Sequence, residues 1–161
     1  ADISLPFPVF SNFESEVVVT RQDALALSKD LPMLDLIYID PPYNQHPYGS
    51  NYFMLNLICD YREPQEISAV SGIPKDWNRS VYNSKVQHRS AFFDLCAGAR
   101  AKYLLISFSS DAFLTFDEIE SGLAQIGAVS VITTKYNVYR ASRNLCSRDI
   151  HLNEYLFLVK K

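Results

Sequence analysis

Leu34-Asp35-Leu36-Ile37-Tyr38-Ile39 is a near-continuous apolar run of strand length, the pattern of a strand buried on both faces of a parallel sheet. It stops at Asp40-Pro41-Pro42, because consecutive prolines have no N–H to give to a ladder. Tyr103–Phe108 is a second buried run, and the β-branched stretch Glu16-Val17-Val18-Val19-Thr20 reads as a short strand ahead of both. Elsewhere the apolar spacing changes to three and four. It predicts a short helix over 23–29 (Ala24, Leu25, Leu27) and a longer one over 51–61 (Phe53, Met54, Leu57, Ile58, Tyr61). A third covers 87–102 (Phe92, Leu95, Cys96, Ala99), and a fourth covers 116–126, with Gly127 as its C-cap. Ser109-Ser110-Asp111 offers helix-capping chemistry, and residues 62–84, with Pro64, Gly72 and Pro74, read as a long loop. Residues 129–139 and 154–160 read as two strands of an antiparallel hairpin, joined by a polar, basic loop. The order β-α-β-α-α-β-α-β-β implies the α/β class, with a mostly parallel sheet and helices on its faces.

Composition narrows the class. With 161 residues, 48% hydrophobic and 20% charged, the chain suits a single domain over 1–161 with a sizeable core. Its apolar stretches, such as Tyr155–Val159, are far too short to cross a bilayer, so no membrane partner is expected. The start, Ala1-Asp2-Ile3-Ser4, lacks the basic-then-apolar pattern of a signal peptide. Cys59, Cys96 and Cys146 are odd in number and form no CxxC pair, which points to a reducing, cytoplasmic setting. His46, His88 and His151 stand apart from acidic or cysteine partners, so no metal is expected.

Charge is uneven along the chain. Residues 1–78 carry 4 Lys and Arg against 11 Asp and Glu, whereas residues 79–161 carry 11 against 7. Lys135, Arg140, Arg143 and Arg148 fall in one stretch, interleaved with Tyr136 and Tyr139. Such cations suit phosphate contacts, although ordinary surface variation accounts for the charge alone equally well. The net charge of −3 argues against indiscriminate coating of nucleic acid.

The most informative segment is Asp40-Pro41-Pro42-Tyr43-Asn44 at the carboxyl end of the first buried run, the place where ligands bind in open α/β sheets. A proline turn that simply ends a strand is the plain reading of Asp-Pro-Pro. All four residues Asp-Pro-Pro-Tyr arise by chance in a chain of this length only on the order of one time in a thousand. The chemistry fits methylation of an exocyclic amine. Such an amine is a weak nucleophile because its lone pair is delocalised into the ring. The Asp40 carboxylate and the Pro41 carbonyl can accept both N–H hydrogens, favour a pyramidal nitrogen and free the lone pair for in-line attack. The prolines hold these acceptors stiffly. Tyr43 can stack on a base flipped from the duplex.

At these residues the chain resembles the Dam-type adenine-specific DNA methyltransferases. The likeness extends over Tyr48-Gly49-Ser50-Asn51-Tyr52-Phe53-Met54-Leu55, Ser80-Val81-Tyr82-Asn83, Tyr103-Leu104-Leu105-Ile106-Ser107-Phe108 and Leu152-Asn153-Glu154-Tyr155-Leu156-Phe157. It implies a Rossmann-like fold and transfer from S-adenosylmethionine (SAM) to adenine in DNA, within a restriction-modification setting. Asp40, Pro41, Pro42 and Tyr43 take the catalytic role, and Asp40 and Pro41 also serve the cofactor. Asp23 maps onto the acidic position near the cofactor adenine, and equally suits a helix N-cap. Asn44 and Asn83 are candidates for polar contacts to the flipped base. Arg140 and Arg143 are candidates for DNA contact. Around Tyr48, Tyr52 and Phe53 the aromatic side chains suit helix packing, with one tyrosine available to line the target pocket.

Two family features have no counterpart. None of the five glycines (Gly49, Gly72, Gly98, Gly122, Gly127) forms the glycine-rich strand–loop that cradles the methionine end of SAM, and the DNA-recognition insert is missing. The chain therefore reads as the C-terminal part of a methyltransferase. Its expected partners are DNA and either a separate N-terminal portion or a second copy covering exposed edges. An RNA-base amino-methyltransferase and an inactive nucleic-acid-binding or assembly fragment are the alternatives.

Overall fold

The computed structural model describes residues 6–45, 47–76, 79–137 and 151–161. Its elements are α1 (Ala24–Asp30), β1 (Leu34–Ile39), α2 (Tyr48–Asn51), α3 (Phe53–Asp60), a 3₁₀ turn (Val81–Asn83), α4 (His88–Gly98), β2 (Ala101–Ser109), α5 (Phe116–Ala124), β3 (Ala128–Asn137) and β4 (His151–Lys160). The strands form one sheet in the order β1-β2-β4-β3. Only β1 and β2 pair in parallel, while β2–β4 and β3–β4 are antiparallel. The expectation of a mostly parallel sheet is therefore corrected to a mixed one. The hairpin partner β4 inserts between β2 and β3, so each of its two ladders runs antiparallel. The α/β class stands, as does the antiparallel pairing of the last two strands.

One face of the sheet carries the core. Ile37 and Ile39, Leu104 and Ile106, Phe157 and Val159, and Val129 and Val131 line up across the four strands. They pack against Phe92, Leu95 and Cys96 of α4 and Ile119 and Leu123 of α5. The opposite face carries Tyr38, Leu105 and Leu158 in register, and Tyr38 is 56% exposed. β1 is thus not buried on both faces, as its apolar run implied. It is an edge strand, and among the described residues only its Ile37–Ile39 side is covered.

Other boundaries shift for local reasons. Residues 16–20 form no strand: Val17, Val18 and Val19 are exposed and no described strand lies beside them to pair with. β propensity without a partner ladder does not make a strand. The predicted 51–61 helix is two pieces that meet at Tyr52, and it ends at Tyr61 in the left-handed region (φ 48°). α5 is capped by Thr115, not by Ser109-Ser110-Asp111. Thr115 and Glu118 form a reciprocal capping box, and the N–H and hydroxyl of Thr115 hold the Glu118 carboxyl below its usual range. Gln125, not Gly127, is the C-cap of α5. Gly127 is instead required by close approach, since a Cβ there would lie 2.2 Å from the carbonyl oxygen of Lys160. α4 ends at Gly98, earlier than the predicted 102, and the Lys161 Nζ donates to the carbonyls of Cys96, Ala97 and Ala99 beside that end. No helix of the described residues is long and apolar enough to cross a membrane.

Candidate active site

β1 delivers Asp40 to the sheet's carboxyl end. Ile39, the last strand residue, is buried, whereas Asp40 beyond it is exposed and Pro41 is buried again. The apolar side chains before and after it anchor the backbone while the carboxylate faces solvent. Asp40, Pro41 and Pro42 line a cleft of about 880 Å³. Its other walls are Asp23, Ala24 and Leu27 of the α1 region and Arg79–Tyr82 of the 3₁₀ segment. Pro42, Tyr43 and Asn44 also line a small niche of about 130 Å³ with Tyr48 and Asn51. Pro42 belongs to both linings, so the Asp40–Tyr43 segment joins a large cavity with carboxylates to a small one with tyrosine rings.

Asp23 and Asp40, predicted from separate parts of the chain, meet in the same cleft. Asp23 is also the N-cap of α1: its Oδ1 accepts from the Ala26 N–H at 2.9 Å. Asp23 lines the cleft while it caps α1, so the capping and ligand readings are compatible. Asn44 lines the niche, and its Nδ2 reaches the Asp111 carboxylate at 3.4 Å. Asn83 lies in neither cavity lining. Its Nδ2 donates to the Asn44 carbonyl at 2.8 Å, so it grips the backbone of the niche. Arg140 and Arg143 lie outside the described residues, as does Arg148.

The electrostatics of the niche are acidic. Burial pushes the Tyr43 hydroxyl up to about 12, and the negative charges of Glu154, Asp111 and Asp40 add to the rise. Tyr43 is neutral at any working pH and keeps its O–H as a donor. Its ring lies 5.7 Å from that of Phe108, tilted by 38°. Glu154 is itself raised above the usual carboxylate range, first by burial and further by Asp111 and Asp40. Tyr48 is raised by burial and by Asp40, and its ring stacks on Tyr52 at 5.9 Å.

Sequence reasoning missed Asp111, Glu154 and Asn51. Asp111 follows the carboxyl end of β2, the same kind of position that singled out Asp40. Glu154 gives no local signal, because it arrives only through its antiparallel register with Ser109. Among the described residues, no group of three or more His, Cys, Asp or Glu is placed to hold a metal ion.

Residues 9–117 match the family of D12 class N6 adenine-specific DNA methyltransferases. The chain is 32% identical over 126 residues to the type II methyltransferase M.CviAII of Paramecium bursaria Chlorella virus 1, covering 78% of this chain and 37% of that protein. It is 34% identical over 131 residues to the type II methyltransferase M.FokI of Planomicrobium okeanokoites (79% and 20%). It is 28% identical over 146 residues to the type II methyltransferase M.NlaIII of Neisseria lactamica (89% and 42%). The chain thus spans less than half the length of each of these relatives. No solved structure matches it. On the match over 9–117, which includes Asp23 and the Asp40–Tyr43 turn, the chain belongs to the D12 class of N6 adenine-specific DNA methyltransferases.

Proposed function

We propose that this chain is the DPPY-bearing part of a Rossmann-like catalytic domain that methylates the exocyclic N6 amine of adenine in DNA. It occupies residues 1–161 as a single, incomplete domain. The observation that carries this reading is that one segment serves both cavities, Asp40–Pro42 lining the larger and Pro42–Tyr43 the smaller. A donor in the larger cavity and a base in the smaller would meet at that segment.

The larger cleft suits SAM. Its volume falls in the usual range for small-molecule sites, about 300–1,000 Å³. Asp23 Oδ2 and the Asp40 carboxylate are acceptors for hydroxyl and ammonium groups, and Leu27, Ile37 and Leu95 offer apolar contact to a ring. SAM, when bound, supplies an electrophilic methyl group on a sulfonium sulfur. This chain's residues act on the other reactant. The Asp40 carboxylate and the Pro41 carbonyl accept the two amine hydrogens and direct the nitrogen lone pair toward the cleft. Pro41 and Pro42 keep those acceptors from reorganising. Tyr43 stacks on the flipped base, which offsets part of the unstacking cost, and Asn44 in the niche lining supplies hydrogen-bonding capacity to the base edge. DNA is the proposed substrate because the family is one of N6 adenine-specific DNA methyltransferases. A separate N-terminal portion or a second copy is the proposed partner for the open edge of β1.

The deciding experiment is transfer of labelled methyl from SAM to duplex DNA, with the chain supplied together with the remaining part of a full-length enzyme. Label should appear in adenine N6 and be absent from duplexes lacking adenine. No transfer to any adenine-containing duplex, with SAM shown to bind, would leave only an inactive binding fragment.

A further inference from the structure

His88 lies in the first turn of α4, and none of it reaches solvent. Its Nδ1 stands 2.8 Å from the carbonyl oxygen of Tyr82. A carbonyl only accepts, so Nδ1 carries the ring proton and Nε2 keeps a lone pair. That Nε2 is buried and has no hydrogen-bond partner among the described residues. The ring lies parallel to Phe92 at 6.3 Å and edge-on to Phe108 and Phe113 at 6.0 and 5.6 Å. An apolar side chain would fill this aromatic box with no unpartnered nitrogen, so packing alone gives no reason for an imidazole. What imidazole adds is the Nδ1–H bond to Tyr82.

Two neighbours of the His88 ring, Phe113 and Phe108, touch the segment that follows Asp40 and Pro41, and a third, Tyr82, leads to it through Asn83. The Tyr82 carbonyl belongs to the 3₁₀ turn whose last residue, Asn83, donates to the Asn44 carbonyl at 2.8 Å. The backbone N–H of Phe113 donates to the Tyr43 carbonyl, also at 2.8 Å. Phe108 packs on the Tyr43 ring. We infer that His88 is a positioning residue for the methyl-transfer site, fixing the path of Tyr43 and Asn44 through Tyr82–Asn83, Phe113 and Phe108. This rests on the reading of Asp40–Tyr43 given above. Small displacements matter there, since misplacing a reacting group by about 1 Å costs roughly a hundredfold in rate.

The test begins with readouts that need no activity. In the full chain, ¹⁵N shifts of the His88 ring report a neutral Nδ1–H tautomer, and the Phe113 N–H is protected from exchange. His88→Leu keeps the apolar packing and removes the donor. The Phe113 N–H then exchanges about fivefold to tenfold faster, the weight of one net hydrogen bond, while the ladder amides of Leu104 and Phe157 keep their rates. His88→Asn, which carries a donor nitrogen near the place of Nδ1, restores protection. Asn83→Asp, on the half-buried turn, removes only the second link and also accelerates Phe113 exchange. It decides the matter if His88→Leu does not fold. In full-length enzyme carrying either substitution, the single-turnover rate falls by a larger factor than the affinity for SAM, whose proposed cleft Tyr82 lines. Unchanged Phe113 exchange in the variants overturns the inference. So does acceleration spread evenly over β2 and β4, or a loss of SAM affinity in step with the rate. If wild-type enzyme transfers no methyl group, the functional reading fails, and the exchange pattern still decides whether His88 holds the turn.

Discussion

Replacing Asp40 with alanine separates chemistry from folding. The carboxylate is exposed just beyond the buried Ile39, so its removal opens no cavity. It also relieves repulsion, because Asp40 is one of the charges that raise the Glu154 carboxyl. An exposed site of this kind changes stability by no more than about 0.5 kcal/mol, which corresponds to a shift in Tm of roughly 2 °C or less for a chain of this size. The effect on catalysis is several times larger. Losing one preorganised acceptor for the reacting amine costs about 3–4 kcal/mol, or a hundredfold to a thousandfold in rate. Single-turnover transfer of labelled methyl from SAM to duplex DNA in full-length enzyme, paired with thermal melts of the same proteins, reads both numbers. Asp40→Asn, which keeps a carbonyl acceptor and loses the charge, should fall between alanine and wild type. Near-normal transfer by Asp40→Ala would show that the turn merely ends a strand. A large fall in Tm would show that Asp40 is structural.

Tyr43→Phe keeps the ring packed on Phe108 and should be mild. Tyr43→Ala should lose about 1–3 kcal/mol of base stacking, seen as weaker binding to duplexes with an unpaired target adenine, and equal effects from both changes would refute stacking. Burial lowers the folded-state pKa of His88, so between that value and the unfolded value of about 6.5 the unfolded chain binds the extra proton. The stability held by neutral His88 is therefore complete above about pH 6.5 and lost as pH falls through the lowered folded value. Melts of wild type and His88→Asn should converge as the pH is lowered, and parallel curves would exclude this linkage. Charge reversal of Arg140 and Arg143 should weaken DNA binding and flatten the slope of log affinity against log salt by about two, near one for each phosphate no longer neutralised; an unchanged slope would mean that they face solvent. The 161-residue chain alone, lacking a glycine-rich loop, should bind SAM weakly, and sub-micromolar affinity by calorimetry would contradict that.

Some features of the fold were legible because they are local. Four residues at the end of an apolar run located Asp40–Tyr43, and the spacing of Phe92, Leu95 and Cys96 located α4. Features that depend on a distant partner were not. Leu36 and Tyr38 record a strand suited to cover on both faces, yet α4 and α5 cover only the side of Ile37 and Ile39. Val17–Val19 likewise record a ladder partner that no described strand provides. A sequence pattern states the environment a segment requires and is silent on what supplies it. The same limit hid Glu154, whose place beside Tyr43 follows from the insertion of β4 next to β2.

Asp23 shows how two readings of one residue can both hold. Capping and ligand binding look like alternatives in the sequence, because each explains an acidic residue ahead of a helix. In the fold they are successive uses of one side chain. The bond from the Ala26 N–H to Oδ1 fixes the carboxylate's rotamer, and the N-terminal end of α1 borders the cleft. A cap that holds one oxygen therefore orients the other with little further loss of side-chain entropy on binding. Asp23→Asn should keep the cap and much of the helix stability, since asparagine caps about as well as aspartate. It should weaken cofactor binding if Oδ2 accepts from a hydroxyl or ammonium group, because the carboxamide of asparagine has only one acceptor oxygen and the cap occupies it. Calorimetric titration of SAM into full-length enzyme, alongside thermal melts, reads the two effects separately, and unchanged affinity would leave Asp23 as a cap alone.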